Sequence, residues 1–382
     1  MSARTPLNLA TKKHAFEAAV EDLLSLAKER KASDLHFEPR GENGGGEVRF
    51  RLSGRLVTLR TFENPTHWDD VLKELKRRAG LAFKTGFAQD ARFTSETMAS
   101  DYRVSLIPVC LGVRDAERIV LRVIPRSTTF SLETLGLPQS AVDAFRAALA
   151  RDKGLVIVTG PTGSGKSVTL ASGIREIDRE ANSVLTLEDP VESLIAGVAQ
   201  AQVTATFTFA DGLRAFLRQD PDYILVGETR DSETAKILLQ AADTGHVVLT
   251  TLHTNSAREA FRRLAALGVD EELARECVTF VCAQRLPSRL CAHCTEEDVE
   301  HAALARRTFP ELPLTFIPMR SRGCSLCHGT GLSGRVLLFE YIAPVRNSAG
   351  KTELVAFGSL RESARSALEK GEIDALEAFT YA

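Results

Sequence analysis

The sequence predicts an α/β fold in two domains, a small α+β domain followed by a larger one built on a parallel sheet with crossover helices. Three observations carry that prediction. A chain of 382 residues exceeds the size at which a single hydrophobic core usually stops growing. Around Pro138 the pattern changes from mostly strand-like to helical stretches alternating with short apolar runs, the signature of parallel βαβ units. The stretch "GPTGSGKS", Gly160 to Ser167, lies between such a run and a helix-compatible segment, where a parallel sheet can present a phosphate cradle.

Taken in order, Phe16, Val20, Leu23, Leu24 and Ala27 share one helical face, so an amphipathic helix occupies residues 14 to 29. The N-terminus lacks the uninterrupted apolar core of a signal peptide, and no segment approaches a membrane-spanning run, so a cytoplasmic protein is expected. Runs such as "EVRFRLSGRLVTL" and "DYRVSLIPV" read as strands, with a glycine turn at Gly44 to Gly46. One helix interrupts them: Thr66 is its expected N-cap, Trp68, Val71, Leu72 and Leu75 form its stripe, and Gly80 stops it. The polar, turn-rich "STTFSLETLGLP" reads as a linker. The expected organisation is an N-terminal extension over 1–30, a small domain over 31–126, the linker over 127–138 and the large domain over 139–382, including a cysteine-bearing lobe over about 285–345. Within the last, "GLVIVTG", "SVLTLEDP", "YILVGE" and "HVVLTTLH" are short β-rich runs.

Composition narrows the function. With 44% hydrophobic and 26% charged residues the chain is an ordinary globular protein. A net charge of −2 supplies no global attraction for nucleic acid, and none is expected as a direct partner. Gly160, Pro161, Thr162, Gly163, Ser164, Gly165, Lys166 and Ser167 satisfy the phosphate-loop spacing: glycines admit backbone amides, Lys166 supplies charge to the phosphates and Ser167 can ligate Mg²⁺. Glu228 closes the apolar run "YILVGE", where a carboxylate can orient water; Glu188, Asp189 and Glu192 at the end of "LEDPVE" could handle Mg²⁺ and water instead. Arg118 and Arg122, four apart on a strand, share a face. The seven cysteines include "CAHC" and "CSLC", 29 residues apart. Cys291, Cys294, Cys324 and Cys327 have the spacing of a tetrahedral zinc site, with His293 and His328 as adjacent alternatives to single ligands; a redox role for one pair is the competing reading.

"GPTGSGKS", "LTLEDPVE", "LRQDPDYILVGETRD" and "TGHVVLTTLHTNSA" resemble, in order, the Walker A, Asp-box, Walker B and His-box segments of the secretion ATPases that drive type II secretion, type IV pilus assembly and DNA uptake. "RLCAHC" and "GCSLCHGTGLSGRVLLFE" resemble the tetracysteine lobe of the assembly and secretion members, which retraction motors typically lack. The resemblance implies a RecA-like P-loop ATPase domain with a smaller PAS-like α+β domain, using ATP, Mg²⁺ and Zn²⁺. It implies Glu228 as the acid that activates water, Glu188 and Glu192 as organisers of Mg²⁺ and water, and His253 as the γ-phosphate sensor, with His246 a packing residue. "YRVSLIP" and "ERIVLRVI" match segments that bring arginines to the nucleotide, making Arg103, Arg118 and Arg122 candidates. The implied partners are further copies of the chain in a ring of six, an integral inner-membrane platform protein and a cytoplasmic docking protein, at the inner face of the cytoplasmic membrane. A retraction-type or DNA-transfer motor, or a slow ATP-binding ring component, is the alternative. Ser53 replaces a usual aspartate and Thr229 a usual branched aliphatic. Only about 30 residues precede the match, where many relatives carry an extra docking domain, and the last 40 residues lack the family's usual ending.

Overall fold

The computed structural model describes residues 9–41, 44–83, 86–112, 114–125, 130–348 and 351–382. The chain divides into two units, Met1–Thr128 and Thr129–Ala382. In the first, α1 (Leu9–Glu29) precedes β1 (Asp34–Arg40), β2 (Gly45–Leu52), β3 (Arg55–Phe62), α2 (Pro65–Ala79), β4 (Gln89–Ser95), β5 (Ser100–Leu111) and β6 (Arg114–Pro125). The strands form one antiparallel sheet in the order β3-β2-β1-β6-β5-β4. Val20, Leu23, Leu24 and Ala27 of α1 and Trp68, Val71, Leu72 and Leu75 of α2 are buried with Leu35, Phe37, Phe50, Tyr102 and Leu121 of the sheet.

Three local expectations change. The N-cap of α2 is Asn64, which accepts from the Thr66 and His67 amides, rather than Thr66. Pro65 explains it, since a proline at the first helical position has no amide to satisfy. Gly45 and Gly46 belong to β2; a Cβ on Gly46 would strike the Trp68 ring, so the glycine admits an aromatic rather than making a turn. Ser53 and Gly54, at φ of 48° and 91°, form the two-residue hairpin between β2 and β3. Both central positions of such a turn need positive φ, which favours aspartate or asparagine as well as glycine.

On the other face of this sheet, Asp34, His36 and Glu38 meet an arginine lattice. Arg118 donates to Glu38 at 2.8 Å and contacts His36 Nδ1 at 3.1 Å, while Arg122 donates to Asp34 at 3.1 Å. Arg103 lies opposite Arg122 in register and is exposed. Arg118 sits nearer the middle of β6, opposite Ile107, four residues before Arg122, and Arg118 and Arg122 are already paired with acids of their own sheet.

The second unit contains α3 (Gln139–Leu149), β7 (Gly154–Thr159), α4 (Lys166–Glu176), β8 (Val184–Glu188), β9 (Ala199–Gln202), α5 (Phe209–Phe216), β10 (Tyr223–Val226), α6 (Ser232–Asp243), β11 (Val247–Leu252), α7 (Ala257–Ala266), α8 (Glu271–Cys277) and β12 (Val278–Arg285). Next come β13 (Ser288–Leu290), β14 (Thr295–Glu297), α9 (Ala302–Thr308), β15 (Met319–Ser321), β16 (Leu332–Arg335), β17 (Leu338–Arg346), β18 (Thr352–Phe357), α10 (Leu360–Glu369) and α11 (Ala375–Phe379). The main sheet runs β18-β17-β12-β7-β11-β10-β8-β9. Strands β12 to β9 are parallel, and β17 and β18 extend the sheet antiparallel. Leu155 and Ile157 of β7 enter the core on one face, Val156 and Val158 that on the other; such two-sided burial is why "LVIV" reads as an unbroken apolar run.

Part of the expected linker is structured. Residues 126–129 lie outside the described set, but Leu132–Leu135 form a 3-10 turn, and Leu132 and Leu137 are buried beside Phe145 in the core of the second unit. The polar residues between them conceal this apolar spacing. Pairs β13·β16 and β14·β15 with α9 make a small lobe inserted between β12 and β17. Among the described residues no helix is long and apolar enough to cross a membrane.

Candidate active site and metal centre

The carboxyl ends of β7, β8, β10 and β11 converge on the loop between β7 and α4. Gly160 has φ of +148°, and a Cβ there would strike the Gln284 carbonyl oxygen; Gly163 and Gly165 have φ of +81° and +86°. Only glycine follows this path without strain, and it leads to the free amides at the start of α4, a ready anion site. Ser164 is buried, while Pro161, Thr162 and Ser167 are exposed. Lys166 is buried, and its Nζ donates to the carbonyls of Gly160 at 2.8 Å and Pro161 at 3.1 Å. Burial lowers its pKa, opposed by Glu228 and reinforced by Arg285.

Glu228 stands two residues beyond β10 with its side chain 18% exposed. Its Oε1 lies 2.8 Å from His253 Nε2, and its Oε2 accepts from Arg230 at 2.7 Å. Burial raises its pKa, but the Arg230 hydrogen bond and the charges of His253, Arg230 and Lys166 win, leaving the carboxyl below its ordinary range. His253 follows β11; burial and Lys166 lower its pKa against the pull of Glu228. At 2.8 Å a proton on His253 Nε2 is shared with the Glu228 carboxylate. A carboxylate kept ionised, beside a lysine and an anion cradle, has the elements needed to orient water at a phosphate.

Glu188 at the end of β8 accepts from Thr186 Oγ1 at 2.7 Å and Gln200 Nε2 at 3.0 Å. Gln200 also donates to the Ser193 carbonyl and accepts from the Ile195 amide, tying the turn after Glu188 to the same carboxylate. Asp189 and Glu192 are exposed. The structure therefore brings Lys166, Glu228 and His253 together, fixes Glu188 through neutral donors and leaves Glu192 at the surface. His246 accepts no such place; its Nδ1 lies 3.0 Å from the Ala241 carbonyl. Thr229 is buried, and its hydroxyl meets that of buried Thr250 at 2.8 Å, so the departure from an aliphatic residue leaves no unpaired oxygen.

Cys291, Cys294 and Cys327 are buried and Cys324 half-buried, with all four Sγ atoms within 4.8 Å of one another. Sulfur separations of 4.0 Å (Cys291–Cys324), 3.9 Å (Cys294–Cys327) and 3.7 Å (Cys324–Cys327) match the edge of about 3.8 Å that a tetrahedron with Zn–S of about 2.3 Å requires. The group contains neither His293 nor His328. Burial raises the Cys327 pKa, but the Cys324 and Gly331 amides, 3.1 and 3.2 Å from its sulfur, bring the thiol down to about 6. The remaining cysteines differ: Cys110 is exposed, Cys277 is buried elsewhere, and burial pushes Cys282 up to about 12.

The family model described as type II/IV secretion system protein matches residues 10–380. The chain is 39% identical over 331 residues to type II secretion system protein E of Klebsiella pneumoniae, covering 85% of this chain and 64% of the relative. It is 38% identical over 335 residues to the type IV pilus assembly ATPase TfpB of Acinetobacter baylyi, covering 85% and 56%. It thus spans less than two thirds of the length of both. Among solved structures, the ATPase DotB of Legionella pneumophila superimposes with a TM-score of 0.69 at 26% identity over 95% of this chain and 94% of DotB.

Proposed function

The chain belongs to the type II/IV secretion system protein family, and on that premise we propose that it is an ATPase motor for assembly of a type IV pilus or type II secretion pseudopilus. The observation that carries the reading is Glu228, an ionised carboxylate at a strand end between His253 and the Lys166 loop. In this reading the amides of Gly160 to Ser167 and the Lys166 ammonium bind the phosphates of ATP. Ser167, Glu188 and Glu192 would hold Mg²⁺, which when bound would supply neutralisation of phosphate charge. Glu228 accepts the proton of the attacking water while His253 holds the carboxylate from its Oε1 side. Arg103 binds nucleotide phosphate, and Arg118 and Arg122 do so after exchanging Glu38 and Asp34 for it, which bidentate guanidinium groups suit.

The names of the relatives, a type II secretion protein and a pilus assembly ATPase, support the assembly direction, as does the tetracysteine group. Cys291, Cys294, Cys324 and Cys327 hold Zn²⁺, which supplies a closed structural crosslink. A closed ring, six-membered as the family resemblance implies, presents the same pair of surfaces at every junction and acts on an inner-membrane platform protein from the cytoplasmic side. Purified protein should hydrolyse ATP, and Lys166→Ala should remove nucleotide binding. A wild-type chain that binds no ATP at millimolar concentration would overturn the reading.

A further inference from the structure

We propose that Gln284 is a positioning residue for the phosphate loop, holding it at entry, crest and exit from the neighbouring strand; the inference rests on the nucleotide reading above. Gln284 is the penultimate residue of β12, which pairs with β7 in parallel. It is 1% exposed. Its Nε2 donates to the Ser164 carbonyl at 2.6 Å, and its Oε1 accepts from Thr169 Oγ1, on the first turn of α4, at 3.1 Å. Its own carbonyl oxygen occupies the space a side chain on Gly160 would need. That carbonyl also accepts from Arg285 Nη1 at 3.0 Å, and Arg285 Nη2 donates to the Asn255 carbonyl at 2.8 Å, two residues beyond His253.

The chemistry singles out a primary amide. A loop that turns its N–H groups toward an anion must turn carbonyls the other way, and a buried carbonyl needs a donor. The Ser164 oxygen can only accept, so the NH₂ of Gln284 must face it, leaving the amide oxygen for the Thr169 hydroxyl. Glutamate would set a second acceptor against the Ser164 carbonyl. Methionine would fill the volume and supply neither bond.

The test compares wild type, Gln284→Met, Thr169→Val, the double variant and Lys166→Ala, titrating each full chain with a fluorescent ADP analogue and magnesium to obtain Kd and sites per chain. Gln284→Met should weaken affinity roughly tenfold or more with sites per folded chain unchanged. Thr169→Val should weaken it less, and the double variant should add little to Gln284→Met, because both single changes break the same hydrogen bond. A merely structural glutamine would reduce the number of sites at constant Kd, and that result overturns the proposal. So does wild-type affinity in Gln284→Met under conditions where Lys166→Ala has lost binding. If Gln284→Met does not fold, Thr169→Val decides: unchanged affinity there overturns the proposal. Unchanged binding in Lys166→Ala would overturn the nucleotide reading itself, and the role of Gln284 with it.

Discussion

Glu228 is the residue whose chemistry is most exposed to experiment. Its depressed pKa, set by Arg230, His253 and Lys166 against burial, keeps it ionised at neutral pH, and the amide of Glu228→Gln keeps the shape while losing the charge. ATP binding should survive in that variant and turnover should fall ~10²–10⁴-fold, the usual cost of removing a general base; near-normal steady-state turnover would move the role to Glu188. The residues of this site differ in how far sequence reveals them. Gly160 to Ser167 are legible because their spacing is local and only glycine takes the required path. Gln284 lies 120 positions from Ser164 and Gln200 twelve from Glu188, so each acquires its role only when strand order places it. The Thr229–Thr250 hydroxyl pair is hidden for the same reason: β10 and β11 are neighbours in the sheet, and a threonine alone announces no partner.

At the scale of elements, helices and strands of the first unit follow their patterns, because amphipathic stripes are local properties; the ties between them do not. Arg78 on α2 donates to Glu74 one turn earlier and to Glu21 and the Glu17 carbonyl on α1, and Arg77 donates to Glu74 with two nitrogens. Burial would raise the Glu74 pKa, but these hydrogen bonds lower it. With its folded value depressed, Glu74 contributes stability in full above the ordinary value of 4.5 and loses it as pH falls through the folded value. Glu74→Gln should therefore cost about 1–3 kcal/mol at neutral pH and progressively less in acid. Trp68, the one tryptophan of the chain, is 2% exposed on α2, so its fluorescence during denaturant unfolding follows this unit. A variant whose deficit is the same at pH 7 and in acid would show that the staple carries no ionic share.

For the molecule as a whole, the decisive arrangement is where the tetracysteine lobe joins the sheet. The lobe leaves after β12 and returns as β17, and those two strands pair antiparallel from Val281↔Ile342 to Arg285↔Leu338. The sequence shows the cysteine pairs and the apolar run after them, but not that this run becomes a strand of the main sheet beside β12. Gln284 is consequently held by β17, opposite Phe339, one residue past the last β12–β7 pair, Ala283↔Thr159, before the chain reaches Cys291. The lobe has a second anchorage: Phe309 and Leu312 are buried with Leu338, Ala364 and Leu368, and the Leu290 amide donates to the Glu372 carbonyl at 2.8 Å. Loss of metal should loosen the cysteine knuckles while the sheet keeps Gln284, and through it the phosphate loop, in place. Cys327→Ser should lower zinc content from one per chain, increase proteolysis within the lobe and leave basal ATP turnover within a few-fold of wild type, since a closed tetracysteine site has no open coordination position for chemistry. Elemental analysis finding substantially less than one zinc in wild type purified without chelator would sink the metal assignment. A collapse of turnover in a folded Cys327→Ser variant would show instead that the sheet does not insulate the phosphate loop from the lobe.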